Sequence, residues 1–204
     1  MWVKICGITS VEDAIFAADA GADAIGLNFV PTSPRRVDEA GARAIAEAVR
    51  GRVVLVGVVA DLDAGTMCAL RERIGLELLQ LHGSESPALL EAGLPYAYKA
   101  IRIGSREDVE LADSFGGDRL LADSRVEGAL GGTGASFDWR LVTELAARRP
   151  LILAGGLTAD NVARAVQSVR PWGVDVASGV ERSVREKDPD ALRRFISGAR
   201  AAER

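Results

Sequence analysis

Trp2-Val3-Lys4-Ile5-Cys6-Gly7-Ile8-Thr9-Ser10 reads as a short strand halted by a glycine, with a helix starting at Thr9 or Ser10. That helix puts Val11, Ala14, Ile15 and Ala18 on one face; Thr9 and Glu12 have capping-box spacing, and Gly21 supplies the stop. The same strand-helix unit recurs along the chain. Strands are predicted at 2–6, 24–29, 53–59, 77–81, 97–101, 119–123, 151–154 and 173–176. Most are β-branched or Leu-rich without clean polar alternation, as expected of parallel strands covered on their outer face. Between them, Ala42, Ile45, Ala46 and Val49 form a second apolar stripe, ended by Gly51. A short helix is expected around 87–91. Thr158 is expected to cap the seventh helix, with Val162, Ala165, Val166 and Val169 at helical spacing. Asp188-Pro189 is an N-cap with proline at the first helical position, opening a last helix that buries Leu192, Phe195, Ile196 and Ala199. Eight such units in 204 residues leave no length for a second domain. The compact solution is a single-domain (β/α)8 barrel of the TIM type over residues 1–204; an open doubly wound sheet is the alternative.

Composition narrows the function classes. A net charge of −4 with no Lys/Arg run speaks against a nucleic-acid partner. No stretch approaches the ~20 apolar residues of a membrane span, and the first residues lack a basic region followed by an apolar run. A cytoplasmic protein, monomer or homodimer, is the expectation. Cys6 and Cys68 lack metal-ligand spacing, and His82 is the single histidine, so no metal site is predicted.

In a strand-helix chain the carboxyl ends of the strands are where chemistry is done. Cys6 ends the first strand and Asp123 the sixth, so a closed ring puts both on one rim, where they can face each other across the mouth. A thiol and a carboxyl so placed make a possible acid/base pair: two like charges oppose each other, which favours a protonated acid beside an ionised base, with coupled titrations. The other reading of Cys6 is a small apolar core residue, and of Asp123 a loop cap. Glycine turns follow the last three strands: Gly131-Gly132-Thr133-Gly134, Ala154-Gly155-Gly156 and Ala177-Ser178-Gly179. Glycines let backbone N–H groups approach an anion, and barrels often bind phosphate with the loops after strands seven and eight. After strand two, Ser33-Pro34-Arg35-Arg36 puts guanidinium groups on a proline-stiffened loop, suited to clamping a carboxylate or phosphate.

The ordered set Lys4-Ile5-Cys6-Gly7-Ile8, Ser33-Pro34-Arg35, Val56-Gly57-Val58, Gln80-Leu81-His82-Gly83, Gly131-Gly132-Thr133-Gly134 with Phe137-Asp138-Trp139, Leu153-Ala154-Gly155-Gly156-Leu157 with Asn161-Val162, and Val174-Asp175-Val176-Ala177-Ser178-Gly179-Val180-Glu181 resembles the phosphoribosylanthranilate isomerase family from Lys4 to about Asp188. The resemblance implies a (β/α)8 barrel that performs a cofactor-free Amadori rearrangement of a small phosphosugar, N-(5-phosphoribosyl)anthranilate, in tryptophan biosynthesis. It implies Asp123 as general acid at the furanose ring oxygen and Cys6 as general base at sugar C2. Arg35, rather than Arg36, stands in the family's arginine position and would hold the anthranilate carboxylate. Gly132, Gly155, Gly156, Ser178 and Gly179 would bind substrate, the last four its phosphate. The chain departs from the family pattern at Ala177, at Val59, and at Arg185-Glu186-Lys187-Asp188, where a glycine usually opens the turn.

Other residues invite plainer readings. Lys4 and Cys6 share a strand face, and Asp175 on the neighbouring eighth strand is a plausible charge partner for Lys4. Lys4 or Lys99 as a Schiff-base amine would mark an aldol or decarboxylating enzyme instead, and a non-catalytic phosphosugar sensor would need neither Cys6 nor Asp123. His82 reads as a hydrogen-bonding wall residue, Cys68 as inert packing, and Trp139 and Trp172 as core or helix-sheet residues.

Overall fold

The computed structural model describes residues 1–124 and 138–203. Eight strands run in parallel: β1 (Trp2–Cys6), β2 (Ala24–Asn28), β3 (Val54–Val59), β4 (Leu78–Leu81), β5 (Ala97–Ile103), β6 (Leu120–Ser124), β7 (Leu151–Leu153) and β8 (Gly173–Val176). They pair in sequence order and β8 closes onto β1, giving a closed barrel rather than an open sheet. Helices α1 (Val11–Asp19), α2 (Glu39–Ala48), α3 (Ala64–Ile74), α4 (Pro87–Gly93), α5 (Arg106–Ala112), α6 (Thr143–Arg148), α7 (Val162–Val169) and α8 (Pro189–Ala201) form the outer layer. Between β8 and α8 the chain adds an antiparallel hairpin, β9 (Glu181–Ser183) and β10 (Glu186–Lys187), which the sequence pattern did not predict. Among the described residues no helix is long and apolar enough to cross a membrane.

Local capping chemistry explains the helix starts, with two corrections. Ser10, not Thr9, caps α1: its side chain accepts from the Asp13 N–H, while the Thr9 hydroxyl donates to the Arg185 carbonyl. Thr158 caps the turn that leads into α7 rather than the helix itself: its hydroxyl accepts from the Asp160 N–H at 3.3 Å and its carbonyl from the Val162 N–H at 3.0 Å, while the helix begins after Asn161, whose Oδ1 accepts from the Thr158 N–H and whose Nδ2 donates to the Gly156 carbonyl. The Asp188-Pro189 start of α8 is as predicted.

Alternate strand residues feed two cores. Outward-facing Val3, Ile5, Ile25 and Leu27 join the helices in the main shell. Inward-facing Ala24, Val56, Tyr98, Ala100, Leu121 and Ile152 fill the barrel below the mouth, with Trp2 packed against them. Cys68 is exposed, because the buried stripe of α3 runs through Met67, Leu70 and Ile74 and leaves Cys68 turned outward. Trp172 lies at the opposite end from the mouth, 39% exposed and stacked on Trp2 at 5.2 Å. Trp139 packs partly buried against the shell.

Above the apolar filling the interior turns polar. Lys4 pairs in register with Asp175, and its ammonium lies 2.9 Å from Asp175 Oδ1 and 3.0 Å from Gln80 Oε1. Removing one partner of a buried pair leaves the other charge uncompensated, at a cost of about 3–5 kcal/mol. Lys4→Met is therefore expected to lose about that much stability in urea denaturation, and Lys4→Met/Asp175→Val to recover most of it.

Candidate active site

Cys6 and Asp123 both reach the rim formed by the carboxyl ends of the strands. Cys6 ends β1, 8% exposed, packed with Val30, Val58, Ala60 and Ala177. Asp123, 6% exposed, sits one residue before the end of β6, where its Oδ1 accepts from the Ser124 N–H at 2.8 Å. A buried polar chain runs beneath the rim between them. Lys4, two residues before Cys6, binds Asp175 and Gln80; Gln80 Nε2 meets His82 Nδ1 at 2.8 Å; and His82 Nε2 lies 3.4 Å from Asp123 Oδ2.

That chain assigns its own protons. Gln80 Oε1 accepts from the Lys4 ammonium and from the Tyr98 hydroxyl, so its amide nitrogen must face His82. His82 Nδ1 is then the acceptor, and in the neutral ring Nε2 carries the hydrogen. At 3.4 Å from Asp123 that N–H is too far for a good hydrogen bond and is left a buried donor without one. Neither ring nitrogen offers a lone pair to a bound molecule, which fits a wall residue better than a general base.

Electrostatics at Cys6 are set by burial and by lysines. Burial pushes the thiol above its ordinary value; Lys4 opposes this, Asp175 adds to it, and Lys187 again opposes it. Burial alone would lower Lys4, but the charges of Asp175 and then Cys6 reverse this and hold it above its ordinary value. Lys187, itself buried, donates to the Cys6 carbonyl at 2.8 Å, the Ala177 carbonyl at 3.0 Å and Glu181 at 3.0 Å. No free amine is available for Schiff-base chemistry on these strands. Lys4 is enclosed, and Lys99 is committed to the Leu81 and Gly83 carbonyls and to Glu85.

The β2–α2 loop aims its two arginines in opposite directions. Arg36 is exposed, whereas Arg35 is 7% exposed and turned into the mouth, its stem passing against Gly7. Its Nε and Nη2 form a bidentate pair with Glu181 at 2.8 and 2.6 Å, and that pairing raises the Arg35 pKa. Burial penalises the Glu181 charge, but the hydrogen bonds from Arg35 and the Lys187 charge hold its pKa below the ordinary value. Among the described residues Arg35 Nη1 has no hydrogen-bond partner.

On the other side of the mouth, a cleft is lined by Asp123, Ser124, Gly155, Gly156, Ser178 and Gly179. Gly155 has φ +82°, and a β-carbon there would lie 2.5 Å from the Ser124 nitrogen and 3.1 Å from Asp123 Oδ1. A β-carbon on Gly179 would overlap the Leu157 carbonyl, so the loops after β7 and β8 touch backbone to backbone. Gly156 also has positive φ, +66°, and its carbonyl is tied by Asn161. Ser178 opens a short 3-10 turn, Ser178–Val180. Gly132 lies outside the described residues, as do residues 125–137 as a whole. Among the described residues no group of three His, Cys, Asp or Glu side chains is arranged to hold a metal ion.

Gln80, Glu181, Lys187 and Asn161 were missed as contributors. Each lies in or beside a recognisable motif, but their roles rest on partners up to 181 residues away along the chain, as for Lys187 and Cys6.

Comparison with known proteins agrees with this geometry. The family model for N-(5'-phosphoribosyl)anthranilate (PRA) isomerase matches residues 3–198. The N-(5'-phosphoribosyl)anthranilate isomerase of Pseudomonas aeruginosa (strain LESB58) is 45% identical over 205 residues, covering 99% of this chain and 96% of that protein. The crystal structure of phosphoribosyl anthranilate isomerase from Thermotoga maritima superposes with a TM-score of 0.90 at 36% identity, covering 98% of this chain and 99% of that one. A crystal structure of phosphoribosyl anthranilate isomerase in complex with reduced 1-(o-carboxyphenylamino)-1-deoxyribulose 5-phosphate superposes at 0.87 with 35% identity, covering 98% and 99%. A thiol and a carboxyl on one barrel rim, flanked by an inward arginine and two interlocked glycine loops, thus occur in a chain that belongs to the phosphoribosylanthranilate isomerase family.

Proposed function

We propose that Cys6 and Asp123 carry the acid-base chemistry of this chain, as general base and general acid. As a member of its family the chain catalyses the Amadori rearrangement of N-(5-phosphoribosyl)anthranilate to 1-(2-carboxyphenylamino)-1-deoxyribulose 5-phosphate in tryptophan biosynthesis. In the proposed sequence Asp123 gives its proton to the furanose ring oxygen; the C1–O bond breaks and the glycosidic nitrogen supplies the electrons for a protonated Schiff base. The Cys6 thiolate then removes the proton from C2, whose electron pair neutralises the iminium to an enolamine. Tautomerisation to the ketone completes the reaction, with no bond from sulfur to substrate. The observation that carries the assignment is the meeting of Cys6 and Asp123 on one rim, above a shared buried network running from Lys4 to His82.

Supporting parts follow from the same geometry. Arg35 Nη1 suits the anthranilate carboxylate, because Glu181 occupies the other edge of the guanidinium. The cleft between Gly155-Gly156 and Ser178-Gly179 suits the phosphate, with backbone N–H groups as donors. Gly132 belongs to the proposed substrate set on its motif alone. A cytoplasmic location, supported by two unpaired cysteines, and a monomeric or homodimeric state belong to the same proposal.

Cys6→Ala and Asp123→Asn are each expected to lower kcat by about 10²–10⁴-fold, the usual worth of a general acid or base, while circular dichroism stays unchanged. Neither should rescue a tryptophan auxotroph lacking this isomerase, whereas the parent chain should. Near-normal turnover in either variant would refute that residue's role. Arg35→Ala should raise KM about tenfold or more with a smaller change in kcat, and Arg36→Ala should leave KM unchanged. The reverse pattern would reassign the clamp.

A raised Cys6 pKa makes a stronger but scarcer base at neutral pH, so the thiolate fraction should still be climbing as pH rises beyond the ordinary cysteine value of ~8.5. The difference in thiolate absorbance between Cys68→Ser and Cys6→Ala/Cys68→Ser proteins should titrate with a midpoint above that value. A midpoint at or below it would contradict the dominance of burial.

A further inference from the structure

Arg185, at the tip of the β9–β10 hairpin, has φ +77°, a left-handed backbone conformation that glycine adopts freely and an arginine adopts only at a cost. Turn geometry gives no reason for a long cationic side chain there; the reason lies in what the side chain reaches. Its Nη1 donates to the Pro34 carbonyl at 3.3 Å and to the Arg36 carbonyl at 3.1 Å, the backbone groups on either side of Arg35. Its own carbonyl accepts from the Thr9 hydroxyl at 2.8 Å, which ties the hairpin to the loop after β1 as well. The hairpin that Arg185 tops also supplies Glu181, which grips the Arg35 guanidinium, and Lys187, which anchors Glu181 to the Cys6 and Ala177 carbonyls. Arg35 is thus held at both ends by one element: its head by the first strand of the hairpin, its backbone by the turn.

We infer that Arg185 is a positioning residue for Arg35, and that the hairpin is a brace fixing the direction in which Arg35 Nη1 meets the carboxylate of the aglycone. The inference rests on the reading of Arg35 as the carboxylate clamp. A guanidinium hydrogen-bonded to two carbonyls of a surface loop restricts that loop without touching substrate. Its loss frees the Arg35 backbone, and the ordering cost moves to the binding step. The effect belongs to recognition of the anthranilate half: among the described residues the Arg185 guanidinium donates to the Pro34 and Arg36 carbonyls and makes no hydrogen bond to Gly155, Gly156, Ser178 or Gly179.

The test is steady-state kinetics on Arg185→Gly, Arg185→Ala, Arg35→Ala and Arg35→Ala/Arg185→Ala, with ribulose 5-phosphate, which lacks the anthranilate, as a competitive inhibitor. Arg185→Gly and Arg185→Ala should each raise KM about three- to tenfold, the scale of one or two hydrogen bonds, with kcat within about twofold. The inhibition constant for ribulose 5-phosphate should not move, and Arg185→Ala should add nothing once Arg35 is alanine. Arg185→Gly should melt at or above the temperature of Arg185→Ala, since glycine relieves the left-handed residue. The inference is overturned if Arg35→Ala raises KM while both Arg185 variants leave it unchanged. It is equally overturned if ribulose 5-phosphate weakens in parallel, or if the two alanine effects simply multiply. An unchanged KM in Arg35→Ala would instead remove the clamp reading itself, and the brace with it.

Discussion

The Lys4 ammonium lies wholly inside the barrel, 2.9 Å from Asp175 and 3.0 Å from Gln80, and much of the site's order descends from its demand for acceptors. A lysine can only donate, so Gln80 must turn its oxygen toward it. That choice points the Gln80 amide nitrogen at His82, makes His82 Nδ1 an acceptor, and leaves Nε2–H beside Asp123. The same positive charge opposes the effect of burial on Cys6. One buried cation thus constrains both proposed catalytic groups without lying at the surface of the mouth.

Such a pair is a poor source of stability, since well-packed apolar residues in its place are often equally stabilising. What it provides here is direction. An apolar layer would leave Gln80 and His82 free to choose other partners, whereas a satisfied network admits one arrangement. The rim repeats the principle with opposite emphasis: Lys187 satisfies two backbone carbonyls and Glu181, and Glu181 fixes one edge of Arg35. Both networks use a buried lysine as a hub that ties its own segment to a distant one, Lys4 to Asp175 and Lys187 to Cys6.

The strands were legible because their apolar runs end at glycines or polar turns; all eight begin and end within two residues of prediction, and β1 and β8 match fully. Helix caps were less so: Thr9 and Ser10 offer the same hydroxyl chemistry, and only the hairpin's Arg185 carbonyl, which claims Thr9, decides between them. Cys68 was misread as packing because a helical stripe can be drawn through several nearby positions, and only the docking angle of α3 selects Met67, Leu70 and Ile74. The β9–β10 hairpin escaped notice because its strands are too short and polar to show periodicity.

By itself the sequence determined the repeat of strand and helix and the presence of Cys6, Asp123 and the glycine turns at strand ends, while the pairing of β8 with β1 decided for a closed barrel over an open sheet. The repeat and the strand-end residues follow from local periodicity and from the rule that strand carboxyl ends share one face. Tertiary structure alone decided which way each polar group points: Arg35 inward and Arg36 outward, His82 with its hydrogen on Nε2, Arg185 across to the loop that carries Arg35. Those orientations depend on hydrogen bonds between residues as much as 151 and 181 positions apart. A donor's partner is fixed by distance in space, and distance along the chain carries almost no trace of it.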